Sequence, residues 1–158
     1  MPTPSDYKDL LRLLNKHKAQ YLIVGAYAVI YYVEPRYTKG LDIWVNHRID
    51  NAQRVWKALK EFGAPLKGIE PEDFSKKTMV YQVGVAPVRV DIIMGIAGIE
   101  FAAAWERRSI SSFEGVKVNI IGINELIKNK KASKRKQDKV DLDILLQGRS
   151  PKYHPNAF

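Results

Sequence analysis

The sequence predicts an α+β fold, a mixed, largely antiparallel sheet of about five or six strands with helices packed mainly on one side. Three observations carry that expectation. Residues 21 to 45, YLIVGAYAVIYYVEPRYTKGLDIWV, place an apolar strand, a glycine turn, a short helix and a second apolar strand in immediate succession. Two pairs of strand-like runs follow, 78–83 with 88–94 and 107–112 with 116–121, each joined by a short glycine-containing connection. Helical spacing of apolar residues brackets them all.

Taken in order, Tyr7, Leu10, Leu11 and Leu14 recur at i, i+3, i+4 and i+7 after Ser5 or Asp6 as a cap, with Lys16 and Lys18 in the last turn. Tyr21 to Val24 is a strand ending at Gly25, and Ala26 to Val33 forms two helical turns stopped ahead of Pro35, which pushes Glu34 out of the helical region. Asp50 is placed to cap a helix whose Ala52, Val55, Trp56, Leu59 and Phe62 share a face, and Gly63 suits its end. Residues 64–77 read as a loop with one turn of helix, with Glu70, Glu72 and Asp73 as surface charge. The paired runs make two hairpins, the first turning at Gly84 to Pro87, so the sheet is expected to grow by antiparallel additions. Between them EFAAAW forms a short helix. Asn124 is placed to cap a helix through Ser133, and a last helix from about Asp138 to Leu146 turns Val140, Ile144 and Leu145 inward before Gly148. One domain over 1–147 and a surface tail at 148–158, RSPKYHPNAF in its last ten residues, complete the chain.

With 158 residues and 46% hydrophobic content the chain can bury one ordinary core. No apolar run approaches the roughly 20 residues that span a bilayer, and the start MPTPSDYKDL lacks the basic and apolar regions of a secretory signal, so no membrane partner and a cytoplasmic location are expected. The absence of cysteine excludes disulfides, thiolate metal sites and cysteine nucleophiles; a metal here would be a hard, oxygen-held ion, magnesium rather than zinc. The net charge of +9 points to a polyanion such as RNA, DNA or a nucleoside triphosphate, or to a lysine-rich solvated surface.

Two acids stand where strands disfavour them. Asp42 is flanked by Leu41 and Ile43, and Asp91 lies within VRVDIIM, where alternation puts Arg89, Asp91 and Ile93 on one face. Burying an unpaired carboxylate costs several kcal/mol, so each needs a cation or donors unless it lies on the wet face of an edge strand.

These features resemble the DNA polymerase β-like nucleotidyltransferase superfamily, close to its minimal and abortive-infection-type bacterial branches. Members carry a Gly-Gly or Gly-Ser turn after a strand, an Asp-x-Asp pair on the next strand and a third Asp on a later one. Gly25-Ala26 matches the turn, residues 40–42 the pair and Asp91 the third acid; PRYTK matches the lead-in of one branch. Leu126-Ile127, Lys130, Arg135, Asp138 and Asp141 resemble the family's C-terminal helix pair. The resemblance implies Mg²⁺-dependent transfer of a nucleoside monophosphate from ATP or another NTP to a hydroxyl on RNA, tRNA included, or on protein. It implies Asp42 and Asp91 as catalytic and metal-holding residues, and Gly25, Ala26, Lys39, Lys130 and Arg135 around the nucleotide. An acid pair on one strand face with a third acid alongside can hold magnesium and bring an acceptor oxygen to an α-phosphate.

Ala26 departs mildly from the pattern. Gly40 departs seriously, because the first acid of the pair is missing. The expectation is a gap beside the metal position that Gly40→Asp would fill, restoring metal binding and transfer. The same departure opens a second reading, a catalytically degraded nucleotide- or RNA-binding module, half of a toxin–antitoxin pair with a cognate toxin or antitoxin as partner. KNKKASKRKQDK is the densest positive charge, a ridge for RNA or triphosphate or a solvated helix end. His17, His47 and His154 lack metal or triad spacing, and Tyr31, Tyr32 and Tyr37 are expected at core and rim.

Overall fold

The computed structural model describes residues 4–33, 35, 37–86 and 88–148, and of Pro4 and Ser5 only the backbone. The expectations for Glu34, Pro87, His154 and the tail beyond Gly148, and Arg36 of the lead-in, lie outside the described residues.

Six helices and a mixed six-stranded sheet alternate as α1 (Pro4–Lys16), β1 (Tyr21–Val24), α2 (Gly25–Tyr32), β2 (Gly40–Val45), α3 (Ile49–Phe62), β3 (Val80–Val83), β4 (Arg89–Ile93), α4 (Phe101–Glu106), β5 (Ser109–Phe113), β6 (Val116–Ile120), α5 (Ile123–Ala132) and α6 (Lys136–Gly148). A 3₁₀ turn, Pro71–Ser75, interrupts the loop after α3, where Glu70 and Asp73 cap each other's backbone. No described helix is long and apolar enough to cross a membrane.

The strands run in the order β3-β4-β2-β1-β6-β5. Both expected hairpins form, β3 with β4 and β5 with β6, and β1 pairs antiparallel with β2. The sheet is mixed, as expected, but it does not grow by antiparallel additions alone: β4 docks parallel on β2, and β6 docks parallel on β1. Turn chemistry fixes a hairpin locally, whereas the direction in which a hairpin meets the central pair is set by the crossover that precedes it. Here α3 and the 3₁₀ turn cross between β2 and β4.

Register sorts the side chains. Val24 faces Asp42, Asp42 faces Asp91, and Gln82 faces Asp91, so these four share one face, while Ile23, Ile43, Val90, Ile92 and Tyr81 share the other. The apolar face is covered by α1, α3 and the 3₁₀ turn. Tyr7, Leu10, Leu11 and Leu14 are all buried there, and burial of each large apolar side chain contributes about 1.5–3 kcal/mol. Tyr21 Oη donates to Asn15 Oδ1 at 3.1 Å, and Phe74 meets Tyr81 edge to face. On the opposite face α4 closes one end through Phe101, which meets Trp44 edge to face at 5.0 Å. The α5–α6 pair stands over the acids.

Local boundaries move for physical reasons. Arg48 is the N-terminal boundary residue of α3, and Asp50 lies inside its first turn with its carboxylate accepting from Asn51 N–H. Gly122 precedes α5, which places Asn124 within the helix rather than at its cap. Val140, expected inward, is 52% exposed. The buried stripe of α6 is Asp138, Asp141, Leu145 and Gly148, a helical face whose first two members are acids. Their burial is made tolerable by Lys130 of α5, which pairs with both.

Candidate functional site

A cleft of about 650 Å³ opens on the acid-bearing face, and every sequence-predicted site residue lines it: Gly25, Ala26, Lys39, Asp42, Asp91, Lys130 and Arg135. Strands β2 and β4 place Asp42 and Asp91 directly opposite one another, and because the strands are parallel and in register the two side chains enter the same space.

Asp42 is the less committed acid. Among the described residues it has neither a hydrogen-bond nor an ion-pair partner, and its carboxyl packs against Gly25, where α2 starts. Gly25 has φ +65°, and a Cβ built there would lie 3.1 Å from Asp42 Cγ and closer still to Oδ2. Glycine therefore serves twice, allowing the left-handed turn and admitting the carboxylate. Burial, then the charge of Asp91, raise the Asp42 pKa from 3.8 to about 6, against the lowering influence of Arg89, Lys130 and Arg135.

Asp91, 8% exposed, is held by its own strand. Arg89, two residues earlier on the same face, brings Nε to 2.9 Å from Oδ1 and donates from Nη2 to Oδ2 at 3.2 Å; Gln82 Nε2 donates to Oδ2 at 3.4 Å. The Arg89 Nε–H is not aimed along the Oδ1 contact, so this buried oxygen accepts no hydrogen bond.

The helix pair supplies the facing wall. Lys130, 5% exposed, donates to Asp138 Oδ1 at 2.7 Å and Asp141 Oδ2 at 3.1 Å. Ser133 Oγ donates to Asp138, and Gln137 Nε2 to Asp141 Oδ1 at 3.0 Å. Burial alone would push the Asp138 carboxyl up, but hydrogen bonds from Lys130 and Ser133 prevail and hold it below its ordinary value. Lys130 was expected to serve a phosphate; its charge is already shared between two carboxylates. Arg135 is solvated, its Nε 4.0 Å from Asp138, and Lys39 is exposed with no ion-pair partner among the described residues. Among the described residues the charged lining is balanced, Lys39, Arg89, Lys130 and Arg135 against Asp42, Asp91, Asp138 and Asp141.

Gly40 corrects the expectation of a gap. A Cβ on this residue would overlap the Arg89 carbonyl oxygen and lie 2.6 Å from its carbon and 2.9 Å from Arg89 N. The direction a side chain would take is filled by the backbone of β4. Thr38 Oγ1 accepts from Gly40 N–H at 3.1 Å and donates to its carbonyl at 2.7 Å, and Tyr7 Oη donates to the same Arg89 carbonyl at 3.3 Å.

No group of three or more His, Asp or Glu able to hold a metal occurs among the described residues. The two acids nonetheless fit magnesium that arrives with a nucleotide, since that ion is commonly held by one or two carboxylates together with substrate phosphates and water. Asp42, without a counter-ion among the described residues, and Asp91 Oδ1, which accepts no hydrogen bond, would offer it oxygens.

Sequence reasoning missed Arg89 as a partner of Asp91, although spacing of two on a strand places both on one face. It also missed the inward acids of α6 as ligands of Lys130. Tyr31 and Tyr32 are core, as expected, while Tyr37, 71% exposed, stands at the cleft rim. His17 is not isolated: its Nε2 lies 3.0 Å from Glu61, which also pairs with Lys16.

No family model matches the chain. Among curated proteins, a stretch of 76 residues is 33% identical to 2-succinyl-5-enolpyruvyl-6-hydroxy-3-cyclohexene-1-carboxylate synthase of Bacteroides thetaiotaomicron, spanning 46% of this chain and 14% of that protein.

Proposed function

We propose that the chain is a nucleotidyltransferase-like protein of the cytoplasm that binds a magnesium-bearing NTP in this cleft and transfers a nucleoside monophosphate to a hydroxyl of RNA or protein. The observation that supports it most is the in-register opposition of Asp42 and Asp91 facing the Gly25 turn. In this reading phosphate oxygens approach the N-terminus of α2, and Lys39 and Arg135 supply charge from the rim. Bound magnesium would polarise the α-phosphate and neutralise the leaving group. The acceptor oxygen bonds to the α-phosphorus, the bond to the bridging oxygen breaks, and pyrophosphate leaves. Asp42, which has no counter-ion among the described residues, would take the hydroxyl proton.

Incubation with labelled NTPs, magnesium or manganese, and tRNA or co-purifying protein tests transfer directly; no labelled acceptor under either metal would end the enzymatic reading. Gly40 supports a second one, a binding module within a toxin–antitoxin pair, because the strand has no room for a third acid. Calorimetry with ATP and RNA plus a pull-down separates the two, since binding without turnover favours the module. In both readings Lys134, Arg135 and Lys136, all exposed on the α5–α6 corner, carry the RNA phosphates, each contact adding about 0.7–0.9 to the slope of log K against log salt.

A further inference from the structure

Arg89 occupies the position that a metal would contest. Its guanidinium spans both oxygens of Asp91, it lines the cleft, and its side chain is 32% exposed, so it can move without dismantling the core. A divalent cation on Asp91 would stand within a few ångströms of this fixed positive charge. Of the other described cations of the lining, Lys130 is already bonded to two carboxylates, which leaves Lys39 and Arg135 at the rim.

We propose that Arg89 is an exchangeable counter-ion that makes metal and nucleotide binding depend on one another. Without nucleotide it neutralises Asp91 and repels a divalent cation. When the cation enters with a triphosphate, Asp91 passes to the metal, and Arg89 passes to a phosphate oxygen, which it can grip with the same fork of donors. The exchange gives up one ion pair, Arg89 with Asp91, and forms two, Asp91 with the metal and Arg89 with a phosphate oxygen. It rests on the nucleotide-binding reading above and adds to it a coupling and the residue responsible.

The test is equilibrium Mn²⁺ binding, followed by the electron paramagnetic resonance of free ion, with and without an NTP analogue that cannot be cleaved between the α and β phosphates. The native protein should bind Mn²⁺ weakly alone and far more tightly with the analogue. Arg89→Gln should bind Mn²⁺ alone about tenfold more tightly, the scale of removing one positive charge near a divalent ion in water, and should lose most of the enhancement by nucleotide. Arg89→Lys keeps the charge but not the fork, so its affinity for Mn²⁺ alone should stay near that of the native protein while the enhancement falls. Should Arg89→Gln fail to fold, the lysine variant decides the matter through that split. Nucleotide binding with identical coupling in native and variant proteins would overturn the exchange alone. Failure of the native protein to bind the analogue with Mn²⁺ would overturn the nucleotide reading as well.

Discussion

The carboxylate of Asp42 lies against the Cα of Gly25, so close that no other residue fits there without displacing it. The turn and the acid are therefore one mechanical unit. Gly25→Ala combines this collision with a left-handed backbone, and should lower stability by about 1–3 kcal/mol and weaken nucleotide binding. Urea unfolding and nucleotide titration of the variant check this; an alanine protein as stable as the native one would show that the carboxylate moves freely.

Gly40→Asp should not restore a three-acid centre. The new Cβ meets the Arg89 backbone, so the β2–β4 pair must part at its start, with an expected loss of about 2 kcal/mol or more and no gain in transfer. Magnesium should not recover the lost stability. A metal-dependent rise in melting temperature in this variant, absent from the native protein, would reverse the conclusion.

Asp42 has a pKa raised to about 6, above its unfolded value of 3.8, so the folded state holds the proton more tightly. Its unfavourable contribution is complete above pH 6 and is relieved as the pH falls from 6 towards 4. Asp42→Asn should therefore be the more stable protein at pH 7, by on the order of 2 kcal/mol after allowance for partial exposure, with the difference fading near pH 4. Denaturant unfolding of both proteins at pH 7 and pH 4 gives the answer, and a constant difference would remove the assigned cause.

Lys130→Ala leaves Asp138 and Asp141 buried without their cation and should destabilise the fold by about 3–5 kcal/mol. Adding Asp138→Asn and Asp141→Asn should recover a good part of that loss. If Lys130→Ala instead keeps full stability and loses only nucleotide affinity, the lysine serves the ligand rather than the helix pair.

Much of this fold is legible locally. The Tyr21–Val24 strand, the Gly25 turn and the acid on the next strand follow from apolar runs and one glycine, and alternation alone puts Arg89 with Asp91. What the sequence conceals is distance. A glycine in place of an acid reads as an omission, while its crowding by Arg89 depends on a strand that arrives much later. The inward face of α6 was hidden because hydrophobic periodicity counts Val140 and overlooks acids whose burial is made possible by Lys130 on another helix. A mixed sheet was legible, but which joints are parallel was not, for the same reason, since no turn encodes them.

Those joints also impose an order in time. Residues 46–88 lie between β2 and β4, so the acid pair closes only after that long segment has been gathered in, and pairing of strands distant in sequence is slow compared with helix or hairpin formation. A growing chain that has emerged through α3 possesses Gly25 and Asp42 but no Asp91. Ligand added during refolding should therefore leave the early phases unchanged and act only once β4 has docked, by holding the finished cleft closed to unfolding.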